Sequence, residues 1–230
     1  TFSGIFKRDV KIDNNSITKS IDLLRKSKFI NKKNKYKITV KKNIPVFSGL
    51  GGGSSNAATI IKFFIRKKIS EQKINYFSKH LGTDIKIFFK GNKVYQKNFL
   101  SLKKFNFKHN FYLLIIFPFV KSSTSKIYSK FKKYEQISNK DLYQKVSKID
   151  LVKNLRFESN SLQNVVENKF PIVKKIINEL NFLNNCEFSR LTGSGSACFG
   201  LFLNKSEGIT ALKRIKKRFP SFWCVLSKTI

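Results

Sequence analysis

The chain has 230 residues and 26.7 kDa, 41% hydrophobic, with a mean hydropathy of -0.28; this excludes disorder and fibre and leaves one large or two small domains with an apolar interior. Lys and Arg number 47 against 13 Asp and Glu, a net charge of +34, so the surrounding field is strongly positive and anionic partners are expected. Three scattered cysteines, Cys186, Cys198 and Cys224, lack CxxC spacing, which argues against a disulfide framework or a thiolate zinc site and for a reducing cytoplasm.

The first twenty residues mix Lys7, Arg8, Asp9 and Asp13 with no apolar stretch of the signal-peptide kind. The longest apolar run, residues 111–120, contains Pro118 and is too short to cross ~30 Å of hydrocarbon, so no membrane partner is expected. The chain holds no Met and opens on Thr1, Phe2, Ser3 and Gly4, which predicts an N-terminally incomplete sequence.

In chain order, Ile17, Ile21, Leu23 and Leu24 recur at helical spacing behind the cap cluster Asn14, Asn15 and Ser16, predicting a helix over 17–28. Alternation of Tyr36, Ile38 and Val40 with Lys37, Thr39 and Lys41 predicts a half-buried strand over 36–40. Pro45 and a dense glycine cluster follow, then a helix from Ala57 that ends on Arg66, Lys67 and Lys68, where cations suit the helix dipole. A short helix is expected over 70–79. Leu81, Gly82, Thr83 and Asp84 then break the pattern before an apolar run, Ile85, Ile87, Phe88 and Phe89, read as a strand. Further strands are expected at 93–96 and 111–117, and a helix around 127–134. Two abutting helices fit 161–180, with Pro171 at a first-turn position. A second glycine turn leads into a strand over 197–203, then a helix over 206–218 and a strand over 222–227. A soft domain boundary falls near His109.

The two glycine turns carry the chemistry. Backbone amides converging from such a turn onto a helix start are unsatisfied and lie at the positive end of the dipole, so they bind phosphate. The first turn fits neither GxxxxGK[ST], having no Lys-Ser or Lys-Thr after Ser54, nor GxGxxG, whose third glycine is Ser54. What remains is a phosphate loop of Pro45, Val46, Phe47, Ser48, Gly49, Leu50, Gly51, Gly52, Gly53, Ser54 and Ser55, with its two serines at the cap position. Gly193, Ser194, Gly195 and Ser196 form the second turn. His80 and His109 are the only histidines and lie far apart, so a histidine metal site or a Ser-His-Asp triad has no material. Cys198, Cys224 and Trp223 fall on apolar strand patterns and are expected in the core.

Three motifs in order resemble those of the GHMP kinases, the small-molecule kinases that include galactokinase, homoserine kinase, mevalonate kinase and phosphomevalonate kinase. They are the GLGGGSSNAA wording from Gly49, the segment Gly82, Thr83, Asp84 and Ile85, and RLTGSGSACF from Arg190. The resemblance spans essentially the whole chain. It implies an α+β, two-domain GHMP-kinase fold: an N-terminal ATP-binding domain over 1–108 with a left-handed βαβ unit and the phosphate loop, and a ferredoxin-like C-terminal domain over 109–230. It also implies ATP and Mg2+ as cofactors, Asp84 as the catalytic base, an acceptor that is a nucleotide-linked sugar alcohol, and residues 193–196 closing over the phosphates or the acceptor from the second domain. The metal is expected on the phosphates, with the Ser54 or Ser55 hydroxyl as its protein contact.

Some family features are missing from these 230 residues. A first strand with a Pro-x-Lys-x-Asn-Leu motif, whose lysine is catalytic in the family, and a Tyr-His pair have no counterpart, which predicts weak ATP binding and poor turnover for the chain as given. Lys86 stands where the family has a proline after its catalytic aspartate, and Ser161 where it has an acidic residue. Two rival readings follow from the same residues: a sister kinase for homoserine or mevalonate, and a basic RNA-binding protein. Against the second, nucleic-acid recognition wants basic residues interleaved with exposed aromatics or a reading motif, and the lysines are instead dispersed through every segment in an AT-rich-type composition; nucleic acid is not the expected partner.

Overall fold

The computed structural model describes all residues except 92, 97, 99–100, 106–108, 132–145 and 230. They gather into two units, one of residues 1–46 and 51–105 and one of residues 47–50 and 106–230.

The first unit opens with a βαβ arrangement. Strand β1 (Phe2–Ser3) pairs in parallel with β2 (Val40–Lys41), and helix α1 (Ser16–Lys26) lies between them in the chain. Asn15 starts α1: its side chain accepts from the Ile17 and Thr18 amides at 2.9 and 3.2 Å, and Thr18 Oγ1 accepts from the Asn15 amide at 3.0 Å, a reciprocal cap. The expected strand over 36–40 forms only at its last residue. Its partner β1 contributes just two paired residues, the backbone before Val40 is met by Thr1, whose amino group donates to the Ile38 carbonyl at 2.7 Å, and Tyr36 lays its ring edge-on against Phe64 at 4.7 Å.

Helices α2 (Gly52–Ile65), α3 (Glu71–Leu81) and α4 (Ile85–Lys90) follow, then the antiparallel hairpin of β3 (Val94–Gln96) and β4 (Leu102–Lys104). The apolar stripe of α2, Ala57, Ala58 and Ile61, is buried against Leu24, Phe77 and Ile85. Two expectations are corrected here. The helix begins at Gly52 rather than Ala57, because it enters through glycines that local propensity reads as loop. The run 85–89 is a helix, not a strand: a five-residue, mostly apolar run carries no decisive period, and Ile85 and Phe88 use the same helical face against α2.

The second unit is built on a sheet of β5 (Tyr112–Phe117), β6 (Phe188–Leu191), β7 (Cys198–Phe202) and β8 (Trp223–Lys228). The order is β6-β7-β5-β8 and every pairing is antiparallel. Helices α5 (Thr124–Tyr128), α6 (Lys148–Phe157), α7 (Gln163–Lys169) and α8 (Pro171–Asn181) connect β5 to β6, and α9 (Lys205–Arg218) connects β7 to β8. This is the βαββαβ order of a ferredoxin-like sheet, as the resemblance implied. Alternation along β5 sends Leu114 and Ile116 to the face covered by α8 and α9, where they meet Ile176, Leu180 and Ile215. On the opposite face Leu201 and Phe188 are buried with Leu151 and Val152 of α6. Truncating a fully buried member such as Leu114 to Ala removes roughly 2–5 kcal/mol.

The helix expected around 127–134 is the shorter α5, and residues 132–134 lie outside the described residues. Cys198 is fully buried in the first of these clusters and Cys224 packs against it. No helix among the described residues is long and apolar enough to cross a membrane.

Candidate active site

The chain leaves β2 through Lys42, Asn43 and Ile44 and enters the glycine turn at Pro45. Residues 47–50 are fastened within the second unit. Phe47, held at a φ of 58°, has a carbonyl that accepts from the amides of Ser122 and Ser196, each at 3.4 Å. The Ser48 carbonyl accepts from the Ala197 amide at 3.1 Å and from Thr192 Oγ1 at 2.9 Å. Gly49 lies so close to the second turn that a methyl group on it would sit 2.0 Å from the Thr192 carbonyl oxygen. The two glycine turns, read separately in the sequence, are thus stitched to each other.

From Gly49 onward the backbone changes character. Gly49 and Gly51 take positive φ of 75° and 68°, a region open to glycine at little steric cost. Among the described residues, no protein acceptor meets the N–H of Gly49, Leu50, Gly51, Gly52, Gly53 or Ser54; the Ser55 amide is the first to find one, the Gly51 carbonyl at 2.9 Å. Six consecutive unpaired amides running onto the positive end of a helix form a cradle for an anion. The serines are not at the cap position as expected. Gly51 is the cap residue, without side-chain capping, and Ser54 and Ser55 lie in the first turn, their hydroxyls without a partner among the described residues.

Lys42 adds a charge that sequence reasoning missed. Its side chain is 7% exposed, and its Nζ lies 3.0 Å from where a methyl on Gly52 would be, so the ammonium stands at the start of α2. No carboxylate among the described residues pairs with it, and burial pulls its pKa below the ordinary lysine value. A desolvated cation beside the positive end of a helix is unfavourable for both until an anion joins them. Nothing in the sequence separates this lysine from the many others; the signal is its burial.

Asp84 directly precedes α4 and is exposed, its Oδ1 taking a 3.3 Å hydrogen bond from Thr83 Oγ1. Four residues on, Phe88 closes on Gly51: a methyl there would sit 3.1 Å from the ring. Residues four apart share a helix face, so the backbone of Asp84 stands roughly 6 Å, just over one turn, along α4 from that of Phe88, whose ring touches the glycine turn. Lys86 follows two residues after Asp84. It is 2% exposed, and burial depresses its pKa, opposed by the charge of Glu71 and reinforced by that of Lys90. Glu71 bridges Lys90 at 2.9 Å.

In the second turn Gly193 and Gly195 both take positive φ, 47° and 76°. The Gly195 amide turns inward to the Thr192 carbonyl at 2.8 Å. The Gly193 and Ser194 amides have no acceptor among the described residues. Ser196 Oγ donates to the Val120 carbonyl. Of the other residues weighed, His80 bonds the Tyr76 carbonyl and His109 the Val146 carbonyl, each at 2.9 Å, and no group of three or more His, Cys, Asp or Glu among the described residues could hold a metal ion.

Open amides at the start of α2, a buried cation beside them and an exposed carboxylate at the start of α4 are chemistry suited to an anion. Family comparison agrees. Residues 15–88 match the GHMP kinases N terminal domain and residues 140–221 the GHMP kinases C terminal. The chain is 36% identical over its full length to a 4-diphosphocytidyl-2-C-methyl-D-erythritol kinase of Pelagibacter ubique (strain HTCC1062), covering 81% of that protein. It is 31% identical, over 83% of itself and 70% of the relative, to the protein of the same name from Sulfurihydrogenibium sp. (strain YO3AOP1). In fold it is similar to a solved 4-(cytidine 5'-diphospho)-2C-methyl-D-erythritol kinase, with a TM-score of 0.68 at 19% identity, covering 98% of this chain and 81% of the other. A homoserine kinase from Cytophaga hutchinsonii matches with a TM-score of 0.69 at 15% identity, over 100% and 81% of the two chains. The chain belongs to the GHMP kinase family and is a phosphotransferase.

Proposed function

We propose that the chain transfers the terminal phosphate of ATP to the 2-hydroxyl of 4-diphosphocytidyl-2-C-methyl-D-erythritol, a step of non-mevalonate isoprenoid synthesis. The observation that carries this reading is the run of unpaired amides from Gly49 to Ser54. Its acceptor specificity rests on the sequence relatives, since the fold alone is equally similar to a homoserine kinase.

Phosphoryl transfer needs positioning and charge neutralisation more than covalent help. The amides of residues 49–54 and the Lys42 ammonium hold the triphosphate and offset its charge. The acceptor hydroxyl attacks the terminal phosphorus, the bond to the departing ADP oxygen breaks, and Asp84 takes the hydroxyl proton. Mg2+, when bound, screens the phosphate oxygens. The Ser54 and Ser55 hydroxyls, without a partner among the described residues, would hold it there. The small-molecule partner accounts for the site without a nucleic acid. A reducing cytoplasm suits the free thiols, with burial pushing Cys186 and Cys224 up to about 11.

The test is ADP release on a panel of the cytidine-linked substrate, homoserine and mevalonate, with ATP affinity measured separately by titration. Turnover with the cytidine-linked alcohol alone is the expected result. Turnover with homoserine or mevalonate instead would move the chain to a sister activity, and failure to bind ATP would remove the nucleotide reading itself.

A further inference from the structure

Side chains around the second glycine turn bind its carbonyls, a pattern absent among the described residues from the stretch Gly49 to Ser54 of the phosphate loop. Asn160 Nδ2 donates to both the Leu191 carbonyl at 3.0 Å and the Gly193 carbonyl at 2.8 Å. Its Oδ1 accepts from the Leu162 amide at 3.0 Å, which fixes the amide group's orientation, since only the NH2 side can donate. Ser122 Oγ donates to the Ser194 carbonyl at 2.7 Å, and Thr124 Oγ1 shares a 2.8 Å hydrogen bond with Ser194 Oγ.

A peptide unit whose carbonyl is pinned on one side presents the N–H of the next residue on the other, because the unit is planar and trans. Pinning the Gly193 carbonyl therefore aims the Ser194 amide. That amide and its neighbour at Gly193 have no protein acceptor among the described residues. Gly193 itself lies against the head of the phosphate loop, where a methyl on it would be 3.1 Å from the Gly49 carbonyl oxygen.

We infer that Asn160 is a positioning residue for nucleotide binding: by holding the Gly193 carbonyl it turns the Ser194 amide outward to meet a phosphate of the bound nucleotide, while Ser122 steadies Ser194 from its other side by holding its carbonyl. The inference rests on the nucleotide reading proposed above. Asn160 touches no substrate; it acts through the turn. Gln163 provides the contrast. Its Oε1 accepts from the Leu191 amide at 3.1 Å and its Nε2 donates to Glu167 at 2.8 Å, so it braces the same strand without holding a carbonyl of the turn.

The experiment titrates ATP into the wild-type chain and into Asn160→Asp, Ser122→Ala and Gln163→Leu, with the melting temperature of each measured without ligand. Asn160→Asp keeps the acceptor for Leu162 and removes the donor. The expected result is ATP affinity about tenfold weaker in Asn160→Asp, several-fold weaker in Ser122→Ala and within twofold of wild type in Gln163→Leu, whatever the melting temperatures do. Equal weakening in Gln163→Leu would reduce Asn160 to a structural brace, and wild-type affinity in Asn160→Asp would overturn the inference outright. Should Asn160→Asp fail to fold, Ser122→Ala against Gln163→Leu decides the question in the same way. A wild-type chain that does not bind ATP removes the nucleotide reading first, which is a different result from binding that Asn160→Asp leaves intact.

Discussion

The two glycine turns of this protein use the same residues in opposite ways. In the first, Gly49 to Ser54 leave six amides without a protein partner among the described residues, and no side chain among them holds a carbonyl between Gly49 and Ser54. In the second, Asn160 and Ser122 occupy the carbonyls of Leu191, Gly193 and Ser194, and the Gly195 amide is satisfied within the turn. Unpaired backbone groups are costly when water is excluded, so an open turn makes physical sense where a ligand supplies the missing acceptors. A turn whose carbonyls are held by side chains is instead fixed in direction, and the amide it leaves open at Ser194 points where those side chains aim it. Glycine content alone does not separate the two; the hydrogen bonds do.

The sharpest test of this division lies outside both turns. If the first turn only holds the donor, the chemistry at the acceptor hydroxyl is separable from it, and Asp84→Asn removes the base while leaving the amides alone. Loss of a general base typically costs 10²–10⁴ in rate, so kcat is expected to fall by about that factor with ATP affinity unchanged. A parallel loss of ATP affinity would place Asp84 in the donor cradle.

Gly49→Ala comes next. Its methyl would meet the Thr192 carbonyl at 2.0 Å, with a φ of +75° that disfavours any side chain. The stitch between the turns must open to admit it. ATP affinity is expected to drop at least tenfold and the melting temperature to fall, read by titration and thermal unfolding. A variant that binds ATP normally would break the link between the turns' contact and the cradle's geometry.

Lys42→Met pulls two quantities in opposite directions. The native lysine is a desolvated cation without a carboxylate, so an apolar side chain of similar length should raise stability in the absence of ligand. ATP affinity should fall, by roughly tenfold or more for one lost charge-assisted contact, ~1.4 kcal/mol or above. The pH dependence follows from the same burial. Because the folded pKa is depressed, the unfolded chain binds more protons as pH rises from that value toward 10.5, and ligand-free stability climbs across that window. ATP binding favours the charged form, so affinity should decline over the same rise in pH, and Lys42→Met should abolish both trends. An unchanged affinity–pH profile in the variant would show that Lys42 faces away from the phosphates.

Much of this was legible in the residues. Asn15 announces α1, Pro171 sits at the start of α8, and the three-motif order is specific enough to imply the family and the ferredoxin-like sheet. The misses have physical causes. The run 85–89 is apolar on too many sides for its period to distinguish helix from strand, and its state is set by packing on α2. The start of α2 hides in glycines whose helical geometry is imposed by the turn rather than by propensity. The hairpin strand β4 and strand β6 carry too few residues for alternation to register. Lys42 and Lys86 look alike in the sequence, yet one is buried against a helix start and the other beside Glu71. Burial of a single lysine depends on what the rest of the chain places around it, so only the structure distinguishes them. Asn160 likewise acquires its meaning from two carbonyls at 191 and 193.

The smallest predicted effect concerns the last glycine of the cradle. A methyl on Gly53 would meet only Ser16, at 3.8 and 3.9 Å, and Gly53 has an ordinary helical backbone, so neither crowding nor conformation demands glycine there. Alanine is favoured over glycine by ~0.8–1.0 kcal/mol in a helix interior, and Gly53→Ala should therefore stabilise the ligand-free chain by a few tenths to about 1 kcal/mol, read from the denaturant midpoint. The Cα–Cβ bond tilts toward the helix N-terminus, which here is the side an anion occupies. ATP affinity should accordingly weaken by about two- to fivefold while stability improves, a trade between fold and function at one methyl group. Improved stability with unaltered affinity would confine the phosphate to the amides from Gly49 to Gly52 and leave the N–H of Gly53 facing water.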